Sequence, residues 1–166
     1  MRPLIWLGSL LAALFCGAMP ALAQKSGGVL KIYHRDNPPS ASIHEEVTIS
    51  TIIPFMPVFN NLVVYDQHKP QNSMETIVPE LATSWTWNEA RDKLTFALRE
   101  GVRWHDGKPF TARDVEFTFR SILDEQIASP RRSDYELVRE LQIVDDYTLR
   151  VIYRKPYAPC LLSWSM

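Results

Sequence analysis

The sequence predicts an α/β protein in which short strands combine with a small number of helices. Three patterns support this class. Residues 94–98 alternate apolar and polar side chains, as a half-buried strand does. Residues 115–122 carry apolar side chains at helical spacing. Residues 145–147, Asp-Asp-Tyr, separate two apolar runs and predict a hairpin.

The first 23 residues have the pattern of a secretory signal peptide. A single arginine precedes an almost wholly apolar run at residues 4–19, and Ala21-Leu22-Ala23 supplies small residues for a cleavage expected after Ala23. The apolar run of about 16 residues is short of the roughly 20 that span a bilayer, which argues against a membrane anchor. Phe15 is too bulky for lipoprotein processing before Cys16. The pattern therefore predicts export as a soluble protein, which is compatible with a periplasmic location.

Composition limits the classes of partner and of stabilising bond. Removal of the signal peptide leaves about 143 residues, enough for one domain with a sizeable core. Without Arg2, 17 basic residues face 19 acidic ones, a net charge of −2, which gives no reason to expect nucleic acid or an anionic membrane as a partner. Cys160 is then the one remaining cysteine, which excludes an internal disulfide and a cysteine-based metal cluster.

The mature chain is expected to begin with a strand, a loop and a bent helix. Residues 29–33 alternate as a strand does, and the proline- and serine-rich residues 34–46 predict a loop. Residues 47–59 are apolar and long enough for a helix, which Pro54 and Pro57 would kink because each lacks a backbone donor.

The rest of the chain is predicted as short strands around one helix. The helix covers residues 111–123, with Thr111 as its cap and Asp114 near the positive end of its dipole. The strands are expected at residues 62–65, 84–87, 94–98, 142–144 and 148–153.

The stretch Gly-Val-Arg-Trp-His-Asp-Gly-Lys-Pro-Phe at residues 101–110 has two interpretations. As a catalytic site, His105 and Asp106 would serve an exported hydrolase or a metal-dependent enzyme. Adjacent side chains of an extended chain diverge, however, and the other histidines, His34, His44 and His68, lack ligand spacing. Asp-Gly is a strong turn dipeptide, so we predict a turn that leads into the helix and no catalytic residue.

Two segments around this turn carry a long linear motif. Residues 79–85 read Pro-Glu-Leu-Ala-Thr-Ser-Trp, and residues 98–115 read Leu-Arg-Glu-Gly-Val-Arg-Trp-His-Asp-Gly-Lys-Pro-Phe-Thr-Ala-Arg-Asp-Val. Together they resemble the signature of the extracellular solute-binding proteins of family 5, the periplasmic components of peptide, oligopeptide and nickel ABC importers. Upstream, Asn60-Asn61-Leu62 stands where the family usually has Glu-Gly-Leu.

The resemblance implies a periplasmic-binding-protein-like class II fold, bilobed and closing over its ligand. Residues 24–59 would start lobe I, residues 60–159 would form a small inserted α+β domain, and residues 160–166 would return toward lobe I. The apolar residues just before Met166 and the absence of a second lobe lead us to expect a fragment.

The same resemblance implies a binding protein rather than an enzyme. It would capture a small solute, most simply a peptide-like one, and deliver it to permease subunits in the inner membrane. It would act as a monomer, with no cofactor and no metal. In this family the long motif is a scaffold of the inserted domain and not the ligand site.

Candidate ligand contacts lie in the loop that follows the first strand, where the family's Leu-Asp-Pro is replaced. Such loops bind ligands in α/β proteins. Acids here favour a cationic or amine-bearing ligand, although Glu45 and Glu46 could instead only stabilise the start of the next helix. Tyr33 and His34 are weaker candidates. The predicted contacts are Ser40, Ser42, His44, Glu45 and Glu46.

Three tryptophans admit a structural interpretation of their own. Trp85, Trp87 and Trp104 would form a partner-binding patch if they were exposed. Their strand spacing favours burial in the core, which is our prediction.

Overall fold

A computed structural model describes residues 27–29, 31–34 and 36–165. The chain divides into two units, Met1–Tyr33 and His34–Met166. The predicted signal peptide and its cleavage position lie outside the described residues. Across the described residues, no helix has both the length and the apolar character needed to cross a membrane.

In the first unit, the strand predicted at residues 29–33 is wrong for the residues that are described. Val29 and residues 31–33 adopt no regular secondary structure, and Val29, Ile32 and Tyr33 are exposed. Alternating side chains suit a sheet, but a strand forms only when its backbone groups find a partner strand. No strand within the described part of the chain pairs with these residues.

The second unit begins with a loop and the predicted bent helix. Helix α1 spans Ile49–Phe55 and continues as a 3-10 turn at Met56–Val58, so the helix type is confirmed and the α-helical part is shorter than predicted. Pro54 lies inside α1 and Pro57 inside the 3-10 turn. Prolines at these two positions remove backbone donors, which explains the change of helix type.

Two antiparallel sheets follow. Strands β1 (Val63–Tyr65) and β2 (Ile77–Pro79) form a two-stranded sheet. The larger sheet has the order β3-β4-β6-β5. Its strands are β3 (Ala82–Trp87), β4 (Lys93–Leu98), β5 (Val138–Asp145) and β6 (Thr148–Tyr153).

The predicted hairpin is confirmed as β5 and β6, but β5 is longer than expected. The sequence predicts the strand only at residues 142–144, whereas β5 also includes Arg139 and Glu140. In the structure β5 is an edge strand with two register shifts, and both of these side chains are exposed. Edge strands carry charged side chains readily, since one side of the backbone faces solvent.

Helix α2 spans Ala112–Leu123, as predicted, and covers one face of the larger sheet. Its start is held by Asp114, whose carboxylate accepts hydrogen bonds from the backbone N–H of Thr111 at 2.7 Å and from its hydroxyl at 3.1 Å. Its buried side chains belong to one hydrophobic core with the sheet. They are Ala112, Val115, Phe119 and Ile122.

An aromatic cluster joins helix, sheet and the last 3-10 segment, Ala158–Trp164. The Trp164 ring contacts Phe96, Phe119 and Tyr135, with centroid distances of 5.9, 6.4 and 5.2 Å. Trp164 Nε1 donates a hydrogen bond of 3.0 Å to the Tyr153 hydroxyl. Burial raises the pKa of Tyr135 to about 12 and also raises the pKa of Tyr153. The hydroxyl groups of both tyrosines therefore stay neutral.

Candidate functional site

The His-Asp-Gly-Lys stretch is a tight turn, as predicted. The Gly107 N–H donates to the Trp104 carbonyl and the Trp104 N–H to the Lys108 carbonyl, both at 2.8 Å. Gly107 has φ +86°, a backbone conformation that side chains with a Cβ disfavour. Arg103 Nη1 closes the turn with a hydrogen bond of 2.7 Å to the Gly107 carbonyl.

The Asp106 carboxylate makes its contacts within this turn and does not orient His105. Its carboxylate accepts the Lys108 N–H at 3.0 Å and pairs with the Lys108 ammonium at 3.0 Å. The backbone N–H, followed by the ammonium, holds the pKa of Asp106 below its usual range. His105 makes no hydrogen bond to any described residue. A general base needs an orienting partner, and this arrangement supplies none within the described chain.

The predicted ligand loop forms a compact series of local turns. The Ser40 hydroxyl accepts the Ser42 N–H at 3.0 Å, and the Ser42 carbonyl accepts the N–H groups of Glu45 and Glu46 at 3.3 and 3.2 Å. Glu45 is exposed, whereas Ser40, Ser42 and Glu46 are half-buried. The loop's serines therefore stabilise its local turns, and Glu45 is an exposed carboxylate on them.

The alternative role of the two glutamates, at the positive end of the next helix, is not supported. Helix α1 begins only at Ile49, has Thr48 as its N-cap and carries no acidic residue in its first turn. The prediction placed the helix start at residue 47, two positions too early. Since the dipole effect fades within the first turn, Glu45 and Glu46 lie outside its reach.

Among the predicted ligand contacts, His44 is the residue held by hydrogen bonds from a distant part of the sequence. The Ser129 hydroxyl donates to the His44 carbonyl, and Arg131 Nε donates to the Ile43 carbonyl at 2.8 Å. Burial, aided by the charge of Arg131 and opposed by Glu45, lowers the pKa of the His44 imidazole. The ring is therefore neutral at pH 7, and its buried Nδ1 has no partner among the described residues.

The weaker candidates are His34, in the second unit, and Tyr33, in the first. His34 Nε2 lies 3.1 Å from the Ser50 carbonyl, so its ring braces the start of helix α1. Tyr33 belongs to the first unit and is exposed. No group of three or more histidine, cysteine or acidic side chains is arranged to hold a metal in the part of the chain that the structure describes.

The structure also brings together residues that no local sequence pattern connects. A cavity of about 250 Å³ has Ile43 and His44 in one part of its wall and Trp104 and His105 in another. Ser129 and Arg131, which hold the loop, were not among the predicted residues. No local signal could have identified them, because their bonds to the loop span 85 and 88 positions in the sequence.

The tryptophan prediction is confirmed in part. Trp85 and Trp87 are half-buried and pack against the core. Trp104 is 45% exposed, so its assignment to the core is wrong. It lies beyond the end of β4, at the start of the turn, and its ring instead packs edge-on against Phe110 at 5.9 Å.

Comparison with known proteins gives a family match over most of the second unit. Residues 76–166, more than half of the chain, match the family described as "Bacterial extracellular solute-binding proteins, family 5 Middle". The dipeptide-binding protein of Escherichia coli is 31% identical over 128 residues, which cover 67% of this chain and 23% of that protein.

Two solved structures share the fold. The murein tripeptide binding protein MppA of Escherichia coli is 25% identical, with a TM-score of 0.65, and covers 76% of this chain and 27% of its own. NikZ from Campylobacter jejuni, in complex with Ni(L-His), is 27% identical, with a TM-score of 0.58, and covers 65% of this chain and 21% of its own. The chain thus spans about a quarter of the length of these relatives.

These likenesses confirm the predicted class II periplasmic-binding-protein-like fold, of which the chain contains a part. They agree with the local structure, in which the long motif forms a strand, a turn and a capped helix. The chain belongs to the bacterial extracellular solute-binding proteins of family 5.

Proposed function

We propose that this chain is part of a periplasmic substrate-binding protein that captures a peptide-like solute and delivers it to the membrane permease of an ABC importer. The family match over residues 76–166 carries the proposal. The names of the relatives support the peptide-like class, since one binds dipeptides and another a murein tripeptide. Binding alone is sufficient for this role, and no bond needs to be broken.

The loop at residues 40–46 is the proposed contact region for the solute. Its serines shape the local turns, and the consecutive residues Glu45 and Glu46 contribute two carboxylates to the loop. A peptide carries an ammonium group at its N-terminus, which a carboxylate binds through charge-assisted hydrogen bonds. The proposed ligand is therefore an amine-bearing solute, with Ser40, Ser42 and His44 completing the contacts.

We further propose an assignment of the chain to the lobes of the full-length protein. Residues 24–59 would start lobe I, residues 60–159 would form the inserted domain, and residues 160–166 would return to lobe I. Helix α1 supports this, because Ile49, Ile53 and Met56 follow one another at helical spacing and are each more than half exposed. An apolar helix face of this kind normally packs against a larger body, which the remainder of a lobe would provide.

Solution scattering on the full-length gene product tests the proposal. Addition of alanyl-alanine or trialanine is expected to reduce the radius of gyration, since the lobes close over the ligand. A radius that is unchanged with every dipeptide and tripeptide tested would contradict it. Changing Glu45 and Glu46 to glutamine should weaken the binding of these peptides at least tenfold, whereas Glu89→Gln, an exposed carboxylate in the β3–β4 turn, should leave it unchanged.

A further inference from the structure

The cavity in the second unit has the size of a small ring system. Its volume is about 250 Å³. A cavity of about 150 Å³ holds benzene, and drug-sized ligands need roughly 300 Å³ or more. The space therefore suits one ring with a substituent, or two fused rings. Its wall is rich in aromatic side chains, namely Trp104, Phe110, Phe119, Tyr135 and Trp164.

Two charged side chains of opposite sign lie in the wall, and each hydrogen-bonds to neutral groups of the chain. Arg103 donates to the Gly107 carbonyl at 2.7 Å, and Asp114 accepts the two hydrogen bonds from Thr111 at the start of α2. The two charges are of opposite sign, so together they give the wall no net charge that would favour an ionic ligand. Placing a charged ligand in such an apolar space would be costly without a partner, so the cavity selects a neutral molecule.

Two imidazoles in the wall supply unused hydrogen-bonding capacity. His44 Nδ1 is buried and has no partner, and the His105 ring makes no hydrogen bond to any described residue. A ring nitrogen donates or accepts according to its tautomer, and a hydroxyl group can match either role. A buried polar atom without a partner is costly, which favours a ligand that supplies one.

We propose that this cavity binds a single neutral aromatic ring that carries one hydroxyl group. The aromatic side chains pack against the ring, and His44 or His105 forms a hydrogen bond with the hydroxyl. This site shares His44 with the contacts proposed for the peptide-like solute, but its aromatic wall comes from residues outside the loop at residues 40–46 and does not depend on that proposal. Failure of the test below would leave the proposed importer role unaffected.

The test uses the chain as it exists, with p-cresol as the probe. Two tryptophans, Trp104 and Trp164, line the cavity, whereas Trp85 and Trp87 do not. In a titration followed by proton–nitrogen NMR, the indole signals of the first pair should shift and saturate, and those of the second pair should stay in place. Shifts that do not saturate, or that are equal for all four signals, would overturn the proposal.

A matched pair of variants on helix α2 places the probe in the cavity. Thr118 lines the cavity, and its neighbour Phe117 is 73% exposed. Thr118→Trp should fill the space and weaken p-cresol binding at least tenfold, while Phe117→Trp, with the same added indole outside, should change it less than twofold. Equal affinities of the two variants would place the probe elsewhere and contradict the proposal.

If Thr118→Trp does not fold, a series of ligands added to the unmodified chain tests the same proposal. Toluene has the ring of p-cresol without the hydroxyl group and should bind at least fivefold more weakly. Benzoate has a ring with a negative charge and should show no saturable binding. Benzoate binding as tightly as p-cresol would overturn the proposed selection of a neutral ring, and toluene binding as tightly would overturn the role of the imidazoles.

Discussion

Arg131 and Ile43 lie 88 positions apart in the sequence, and a hydrogen bond of 2.8 Å joins the arginine Nε to the isoleucine carbonyl oxygen. The neighbouring Ser129 hydroxyl makes the parallel bond to the His44 carbonyl. The two bonds satisfy consecutive carbonyls of the loop proposed to contact the solute. The shape of that loop therefore depends on a turn far along the chain.

Removal of the arginine bond should loosen the loop. We expect Arg131→Ala to lower the free energy of unfolding by about 1.5–3 kcal/mol, the usual contribution of a hydrogen bond made by a charged group. Hydrogen exchange at residues 43–46 should become faster. Both effects can be measured on one sample, by urea denaturation and by exchange mass spectrometry.

Arg132→Ala is the control, because among the described residues the Arg132 side chain pairs only with Glu125, at 3.4 Å on the surface. Its cost should stay below about 0.5 kcal/mol, as for most exposed ion pairs. Equal losses in the two variants would show that Arg131 does not hold the loop.

The buried imidazole of His44 should make stability depend on pH. Its pKa in the folded chain is below the ordinary 6.5, so the unfolded chain binds more protons once the pH falls through that value. His44 therefore imposes no penalty above pH 6.5, and the free energy of unfolding falls progressively below it. His44→Gln should remove this part of the pH dependence.

Urea denaturation at several pH values between 5 and 8 measures the effect. His68→Gln is the matched control, since His68 is an exposed histidine of a surface turn. Its profile should follow that of the unmodified chain. If His44→Gln also followed it, burial of the imidazole would not govern the acid sensitivity.

Gly107 should be sensitive to substitution for reasons of backbone conformation alone. An added Cβ would meet no atom within 4 Å, but φ is +86°. Gly107→Ala is expected to cost about 1–2 kcal/mol, and Gly107→Asn less, because asparagine accepts left-handed conformations more readily. Thermal denaturation distinguishes these values, and equal costs would argue against a conformational cause.

Replacement of His105 by alanine distinguishes the two interpretations of this stretch, a turn or a catalytic site. His105 is exposed and makes no hydrogen bond within the described chain. We expect its replacement to change stability by less than about 0.5 kcal/mol, as surface substitutions usually do. A hydrolytic activity of the unmodified protein that His105→Ala abolished would contradict the binding role.

Two phenylalanines on one helix test the core. Phe119 is 9% exposed and stacks on Trp164, whereas Phe117 is 73% exposed. Phe119→Ala should cost about 3–5 kcal/mol through lost packing and a residual cavity. Phe117→Ala should cost less than about 0.5 kcal/mol. Denaturant midpoints of the two variants check the difference, and similar midpoints would mean that α2 does not cover the sheet as described.

Local patterns in the sequence determined most of the secondary structure and the family. Helix α2, the hairpin of β5 and β6 and the turn at Gly107 each depend on residues within a few positions of one another. Capping, alternation and turn preferences act at that range, so they can be read without knowing the fold. The long motif that carries the family resemblance is likewise continuous.

Tertiary structure alone decided how the candidate site is built. The strand predicted at residues 29–33 had the right alternation but no partner within the described chain, and Trp104 covers Phe110 instead of entering the core. His44 and His105 line one cavity although 60 residues separate them, and Arg131 reaches back across a longer interval. Such contacts depend on the path of the backbone between the partners, which no local pattern encodes.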